Sequence, residues 1–354
     1  MAVFVTLGLC IAATGCFSER IAFMDILVSK YDPGGQHIWS TPIDSGKQDY
    51  ATEIIETSDG GFAIAGWIAD DPSLSVHPRV VRMDCDGRTL WDRTLDSTSD
   101  EAVAIAESKD GGFFVGMKYG SIIQIDDAGH TAWNRTFNHS ISSMIATVDG
   151  GYALAGSHTV CLDGDGNLIW DLPYTSTSIL QASDGGFFVE KSGVPYANGT
   201  LFSIDSTHSF VWSYPVGIRE NGEITSMHET PGGTIEVVYT YPDHTKNKGV
   251  IQYFESEQVT FEKNGTPTGS IRVIAVDPLT RTSDGGYAFM GYPFPESSAY
   301  TSFPDAYSAL HLVRLSPEGV VVWDTSLDLG KWKAPQSVLQ TRDGGVITLV
   351  VIGL

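Results

Sequence analysis

The stretch from Thr57 to Gly66, TSDGGFAIAG, decides the fold, because closely similar stretches recur along the whole chain. Asp-Gly-Gly supplies the positive φ that a tight turn requires, and strand-like runs flank it on both sides. Each copy therefore predicts a β-hairpin. The six further copies are SKDGGFFVG from Ser108, TVDGGYALAG from Thr147, ASDGGFFVE from Ala182, TPGGTIEVV from Thr230, TSDGGYAFMG from Thr282 and TRDGGVITLV from Thr341.

A second phrase, D-x-x-G-x-x-x-W, alternates strictly with the first. Its Asp and Gly close another tight turn, and we expect the Trp to bury its ring against the neighbouring sheet. In residues 249–263, where no Trp occurs, Phe261 is the candidate replacement. The four complete copies run from Asp32 to Trp39, Asp84 to Trp91, Asp126 to Trp133 and Asp163 to Trp170, and the weaker ones keep Asp205 with Trp212 and Gly319 with Trp323.

The two phrases together define a unit of four antiparallel strands, named A to D, with the A–B turn at DGG and the C–D turn at DxxG. Seven units predict an all-β protein, a seven-bladed β-propeller of four-stranded antiparallel blades in residues 25–354. The chain opens with a C–D pair, Asp25 to Ile43, and closes with an A–B pair, Ala334 to Leu354. We expect these pairs to share one blade, which closes the ring and removes exposed sheet edges. An open solenoid is the alternative, but it needs capping units that the sequence lacks.

The alternating phrases resemble the DGG-repeat (T-x-DGG-Y/F) β-propellers of archaeal and bacterial secreted and surface proteins. The Trp hairpin also resembles the tryptophan-docking motif of quinoprotein-like propellers, although only the Gly of that motif's Thr-Gly is present here. The resemblance covers about residues 25–354 and implies the propeller fold. It implies little about function, because such families include adhesion modules and assembly scaffolds.

Residues 1–24 are expected to form a leader that precedes the propeller. Residues 2–17 carry no charge and are short for a membrane span, and within them the small residues Ala13-Thr14-Gly15 lie just before Cys16. This stretch resembles a lipoprotein lipobox, which implies acylation of Cys16, although no Lys or Arg precedes the apolar run. A plain secretory signal, an uncleaved short apolar anchor and a buried cytosolic segment are the alternatives. We therefore expect an extracytoplasmic protein, secreted or at the cell surface and tethered to the membrane.

Four N-x-S/T sequons are consistent with that location, although chance alone produces two or three in such a chain. Cys85 and Cys161 lie in similar places of different repeats, and we expect both to be unpaired. The predicted glycosylation acceptors are Asn134, Asn138, Asn198 and Asn264.

Composition excludes two classes of function. The chain of 354 residues has 43 acidic side chains against 21 Lys and Arg, a formal net charge of -22, which would repel a phosphate backbone. Nucleic acid is therefore excluded as a main partner. With only 4 Cys, two of them in the leader, neither a disulfide framework nor a Cys-rich zinc site is available.

Alternating strand direction places all A–B and C–D turns on one face, the turn face, and all B–C and D–A connections on the other, the loop face. The turn face is uniform and the loop face variable, which favours the loop face for binding. Aromatic rings beside acidic residues suit a sugar or a protein surface, and the alternative is that each ring caps its own blade. The candidate binding residues are Tyr196, Tyr241, Tyr292, Tyr300, Tyr307 and Trp332, with Tyr119 and Phe294 in the same exposed-looking set.

Calcium is the one metal that the sequence suggests. Asp163, Asp165 and Asn167 imitate the spaced oxygens of a calcium loop, and Asp70-Asp71 adds an acidic pair. The alternative is a solvated hairpin, because Asp163 also belongs to the repeat turn. No cofactor is predicted, and the nine His show no metal-ligand spacing.

Support for catalysis is weaker. Two carboxylates across a propeller channel could cleave a glycan, but ordinary channel lining explains the same residues equally well. The inner A strands carry five candidate channel groups: Glu53, Glu56, Glu107, Glu223 and His228.

The sequence thus predicts a non-catalytic propeller that binds a protein or polysaccharide of the cell envelope through its loop face. A polysaccharide-active hydrolase or lyase with channel carboxylates is the alternative, and an assembly scaffold differs from the first reading only in its partner.

Overall fold

A computed structural model describes most of the chain and contains only β-structure there. No described residue belongs to a helix, so the described part offers no helix that could span a membrane. The described residues are 24–70, 75–95, 100–191, 199–215, 223–242, 254–273, 278–293, 300–301, 309–329 and 332–353.

Within these ranges the chain forms 29 strands. In chain order they are β1 (Met24–Tyr31), β2 (His37–Ile43), β3 (Gln48–Glu56), β4 (Phe62–Ala69), β5 (Val76–Met83), β6 (Thr89–Thr94), β7 (Ala102–Glu107), β8 (Phe113–Met117), β9 (Ser121–Ile125), β10 (Thr131–Thr136), β11 (Ile141–Ala146), β12 (Tyr152–Gly156), β13 (Thr159–Leu162), β14 (Leu168–Leu172), β15 (Ile179–Gln181), β16 (Phe187–Lys191), β17 (Thr200–Ile204), β18 (Phe210–Pro215), β19 (Glu223–Glu229), β20 (Ile235–Pro242), β21 (Phe254–Phe261), β22 (Pro267–Val273), β23 (Leu279–Arg281), β24 (Tyr287–Pro293), β25 (Tyr300–Thr301), β26 (Leu310–Leu315), β27 (Val321–Leu327), β28 (Trp332–Gln340) and β29 (Val346–Gly353).

The strands form seven antiparallel sheets, each with the spatial order A-B-C-D, which confirms the predicted propeller. Blades 1 to 5 are β3–β6, β7–β10, β11–β14, β15–β18 and β19–β22. Blade 6 consists of β23, β24, β26 and β27, and the two-residue β25 pairs with the outer end of β24.

The closing blade combines both ends of the chain, as the order of the sequence phrases predicts. Its spatial order is β28-β29-β1-β2, and β1 pairs with β29 from Met24 opposite Gly353 to Tyr31 opposite Val346. Each A strand contacts the A strand of the next blade, and β28 contacts both β23 and β3. The ring is therefore closed, and an open solenoid is excluded.

The apolar core lies between neighbouring blades. Phe62 and Ile64 in β4 pack with Val28 and Leu349 of the closing blade, and all four are nearly inaccessible to solvent. B strands are apolar on both sides because a blade covers each face, whereas D strands are largely exposed at the rim. Burial across seven such interfaces holds the ring together.

Every DGG turn has one hydrogen-bond pattern. In blade 1 the Thr57 N–H donates to the Gly61 carbonyl and the Gly60 N–H donates to the Thr57 carbonyl, both at 2.9 Å. Asp59 accepts from the Thr57 hydroxyl at 2.6 Å and from the Gly61 N–H at 3.0 Å. Gly60 has φ +85°, where a Cβ would be strained. The same backbone pair recurs in all seven turns.

In five blades the Trp of the D strand packs on the C–D turn glycine of the next blade, which confirms that the ring packs against the neighbouring sheet. Trp91 lies against Gly129, and its indole N–H donates to the Asp127 carbonyl at 2.7 Å. The prediction that Phe261 replaces the missing Trp of blade 5 is wrong. Phe261 ends the C strand β21 and is fully buried, and no ring from β22 reaches Gly319, whose Cβ position is empty within 4 Å.

Candidate functional site

The turn face and the loop face differ as predicted. All fourteen A–B and C–D hairpins share one backbone hydrogen-bond pattern. The B–C connections are short in blades 2 and 3 and longer elsewhere, and the three longest succeed one another in blades 4, 5 and 6. These are residues 192–199, 243–253 and 294–309, most of which lie outside the described residues. The longest connections therefore join strands of three successive blades, on one side of the ring.

Tyr292 is not an exposed binding residue, and the prediction that it is one is wrong. Its ring is fully buried among Met290, Leu312 and Val338, and its hydroxyl donates to the Lys333 carbonyl at 2.7 Å. Burial raises the pKa of this hydroxyl. The cause is register, because β24 extends through Tyr292 and directs the ring into the interface with the closing blade.

The other predicted aromatics are only partly placed. Tyr241 lies near the end of β20, Tyr300 lies in β25, and Trp332 begins β28. Tyr119, in the short B–C turn of blade 2, is 66% exposed, as expected. Tyr196, Tyr307 and Phe294 lie outside the described residues.

An aromatic groove that sequence reasoning missed runs between blades 3 and 4. It encloses about 180 Å³. Tyr174 and Phe202 stack with ring centroids 5.8 Å apart, and the Lys191 ammonium lies 4.3 Å from the Tyr174 centroid. Phe210 is 61% exposed at one end. The remaining lining residues are Trp170, Leu172, Val189, Ile204 and His208.

The repeated Trp contact is altered at the interface that contains the groove. His208 occupies the turn position that is glycine in the other C–D turns, and it adopts φ +64°. The Trp170 ring therefore meets an imidazole, with centroids 5.9 Å apart, instead of a bare backbone. Among described residues, its buried indole N–H has no hydrogen-bond partner. The sequence signal was His208 in place of glycine in D-x-x-G.

The central channel contains a small polar cavity of about 220 Å³. Bulges in the A strands direct extra residues toward it, such as Thr52, whose hydroxyl donates to the Ala102 carbonyl of the next blade at 2.9 Å. The lining residues are Thr52, Glu53, Val103, Ser142, Ser143, Pro278, Leu279, Gln336, Ser337 and Val338.

Glu53 is the one carboxylate among these lining residues. Removal from bulk water raises its pKa to about 7, although the Ile105 N–H donates to it at 2.8 Å and opposes the rise. Glycoside hydrolysis ordinarily uses two carboxyl groups across the substrate. The described lining of this cavity provides one carboxyl group, Glu53, and not the second.

Glu56 and Glu107 link blades on the turn face instead of lining this cavity, so that part of the channel prediction is wrong. Glu107 accepts from the Ser58 N–H and hydroxyl, both at 2.7 Å, and Glu56 accepts from the Arg342 N–H at 2.9 Å. The same link recurs as Gln181 with Val148, Glu229 with Ser183 and Gln340 with Ser283.

The two remaining channel candidates are only partly placed by the structure. His228 is half-buried, and burial lowers the pKa of its imidazole. The side chain of Glu223 lies outside the described part of the structure.

The calcium-loop likeness is explained by the turn itself. Asp163 accepts from the Asp165 and Asn167 N–H groups at 3.0 and 2.8 Å and from the Asn167 side chain at 2.9 Å. These hydrogen bonds lower the pKa of Asp163, and the bond from the Asn167 side chain has the largest effect. Asp70 pairs with Lys47 at 2.8 Å, and Asp71 lies outside the described residues.

A different acidic group lies where the closing blade meets blade 1. Asp25 is 5% exposed, and one of its carboxylate oxygens lies within 4.8 Å of those of Asp44 and Asp49. Burial and then these two carboxylates raise the pKa of Asp25. The Arg79 guanidinium offsets part of this charge by pairing with Asp49, and it also donates to Asp92 at 2.8 Å.

The modification candidates on described residues are accessible. Asn134, Asn138 and Asn264 are exposed, whereas Asn198 and Cys16 lie outside the described residues. The thiols of Cys85 and Cys161 are free, as predicted.

Comparison with known proteins identifies the fold alone. No protein-family model matches the chain, and no curated protein matches its sequence. Kuenenia stuttgartiensis hydrazine synthase is 16% identical, with TM-score 0.58 over 86% of this chain and 96% of that one. The Neurospora crassa Pan2 WD40 domain is 11% identical, with TM-score 0.57 over 86% and 89%. YCF48 bound to D1 peptide is 9% identical, with TM-score 0.54 over 88% and 96%. Such identities leave function to be argued from the site.

Proposed function

We propose that this protein is a non-catalytic, extracytoplasmic β-propeller that binds a protein of the cell envelope. The observation that carries the proposal is the aromatic groove between blades 3 and 4, which adjoins the B–C connection of blade 4, the first of the three longest. The apolar run before Cys16 and the exposed sequons at Asn134 and Asn138 support the extracytoplasmic location.

The groove has the composition of a protein-binding site. Protein interfaces draw most of their binding energy from a few buried aromatic anchors, and partly exposed rings provide matching surfaces. Tyr174 and Phe210 are 38% and 61% exposed, so both rings are accessible to a partner. An apolar side chain of the partner would fill the groove beside these exposed rings.

The fold is compatible with this use, since a structurally similar propeller, YCF48, has been solved with a bound peptide. The net charge of -22 favours a partner that carries positive charge near its apolar anchor. The Lys191 ammonium over Tyr174 disfavours a basic residue inside the groove itself. The partner segment is therefore expected to insert an uncharged residue and place basic residues outside.

The test is chemical crosslinking of the purified protein to cell-envelope fractions. The crosslinked partner is then identified, and its affinity for the protein is measured. Phe210→Ser combined with Tyr174→Ala should weaken that affinity by at least about tenfold, the scale of an interface anchor. Val321→Ser, on the exposed D strand of blade 6, is the matched control and should leave affinity unchanged.

Two outcomes would overturn the proposal. Equal affinity of the groove variant and the control would exclude the groove as the binding surface. Shortening of purified envelope glycans by the protein would replace the binding role with the hydrolase or lyase alternative.

A further inference from the structure

Two histidines and an aspartate meet on the loop face of blade 3. His139 lies in the connection from β10 to β11, His158 in the turn between β12 and β13, and Asp171 in β14. The two imidazole rings stack with centroids 3.7 Å apart, and His158 Nδ1 lies 2.8 Å from an Asp171 carboxylate oxygen. One ligating atom from each side chain lies within 4.8 Å of those of the other two.

The His158–Asp171 pair alone is a feature of the repeat. In blade 6, His311 Nδ1 lies 2.6 Å from Asp324, and the two pairs have the same register between strands C and D. Blade 1 places Arg79 and Asp92 in these positions. A cross-strand hydrogen bond therefore explains two of the three side chains. The feature particular to blade 3 is the second imidazole, from His139.

Backbone contacts fix His139 beside His158. The Ser157 N–H donates to the Ser140 carbonyl at 3.1 Å, and the Ser140 N–H donates to the Ser157 hydroxyl at 3.0 Å. Each histidine is thus next in sequence to a residue of this two-way link. The D–A connection and the short B–C turn hold the imidazoles together without help from a ligand.

We propose that His139, His158 and Asp171 bind a divalent transition-metal ion of the zinc class. Imidazole nitrogen and carboxylate oxygen are the donors that such ions select, at about 2.0 to 2.2 Å. The ion takes the place of the proton between His158 Nδ1 and Asp171. The His139 ring turns out of its stack to direct a nitrogen at the same point. Three protein ligands leave a coordination position open for water or for a group from another molecule.

The test is titration of the tag-free protein with Zn²⁺ alone at neutral pH by isothermal calorimetry. The wild type should bind one ion at this site, and His139→Ala should lower the affinity by more than about tenfold, since even lost outer-shell partners cost that much. His311→Ala is the matched control, because it removes the same cross-strand pair from another blade and should leave the affinity unchanged.

The visible absorption of bound Co²⁺ provides a second readout, which should disappear in His139→Ala and persist in His311→Ala. His139→Asn replaces the alanine variant if thermal unfolding without metal shows that alanine disturbs the loop. Absence of Zn²⁺ binding to the wild type, or equal affinity of the wild type and the His139 variant, would overturn the proposal.

Discussion

The indole N–H of Trp323 donates to the carbonyl of Pro33 at 3.0 Å, across 290 residues of sequence. The same ring covers Gly35, where an added Cβ would lie 2.7 Å from a ring carbon. This contact joins blade 6 to the closing blade. It is one of the repeated Trp contacts, in which the ring covers a turn glycine that has a positive φ.

We expect Gly35→Ala to destabilise the ring strongly. Gly35 has φ +80°, so any side chain is strained there, and a methyl group would also displace Trp323. Backbone strain costs about 1 to 2 kcal/mol, and overpacking adds about 1 to 3 kcal/mol. Urea unfolding followed by tryptophan fluorescence measures the sum.

Gly319→Ala is the control for that measurement. Gly319 has φ +76° in the equivalent turn of blade 6, but its Cβ position is empty within 4 Å. It should cost only the backbone term of about 1 to 2 kcal/mol. Equal losses for the two variants would contradict a contribution from the Trp contact.

Glu53 is expected to make stability depend on pH. Its pKa rises from 4.5 to about 7 on folding, so the folded state holds the proton more tightly than the unfolded chain. The resulting stabilisation is complete below about pH 4.5 and is lost as pH rises to about 7, up to about 3 kcal/mol. Glu53→Gln should therefore unfold at higher urea than the wild type at pH 8 and at similar urea at pH 4.5. A pH-independent difference would count against this assignment.

Asp25→Asn is expected to stabilise the protein at neutral pH. Asp25 is buried beside two carboxylates, and its raised pKa means that its charge opposes folding. This gain in stability should shrink as the pH falls toward the pKa that Asp25 has in the unfolded chain. Asp163→Asn should behave in the opposite way, because turn hydrogen bonds lower the pKa of Asp163 and its charge favours folding. Unfolding curves at pH 7 and pH 4 compare the two variants.

Glu107→Ala should weaken the link between blades 1 and 2. Glu107 accepts two hydrogen bonds from Ser58, and a hydrogen bond to a charged group contributes about 1.5 to 3 kcal/mol when protected from water. This link is exposed, so we expect about 1 kcal/mol. Glu107→Gln keeps a hydrogen-bond acceptor and should therefore lose much less stability than Glu107→Ala. Gln181 and Gln340 accept the equivalent hydrogen bond in other blades. Identical unfolding midpoints for the two variants would refute the link.

Most of the fold could be predicted because each repeat specifies its turns and strands through residues that are close together in the sequence. Asp-Gly-Gly fixes a turn, the apolar runs around it fix two strands, and the order of phrases fixes which strands complete the closing blade. Errors arose where one repeat departs from the others. Phe261 cannot take the Trp position, because it precedes its turn and ends the C strand β21.

The candidate sites could largely not be predicted from the sequence. Tyr292 looked exposed because it adjoins a long variable stretch, yet strand register buries it. His139, His158 and Asp171 come from two connections and a strand, so no fixed spacing could reveal them. The aromatic groove is lined in part by His208, which replaces the usual turn glycine and contacts Trp170 of the neighbouring blade.

The sequence by itself determined the turns and strands, because these depend on residues close together in the chain. The number and order of its repeated phrases determined the number of blades and the joining of both chain ends. Only the tertiary structure decided which polar groups face one another and which rings remain accessible. Those relationships form between neighbouring blades, where side chains from distant segments meet, and a repeat pattern carries no information about such encounters.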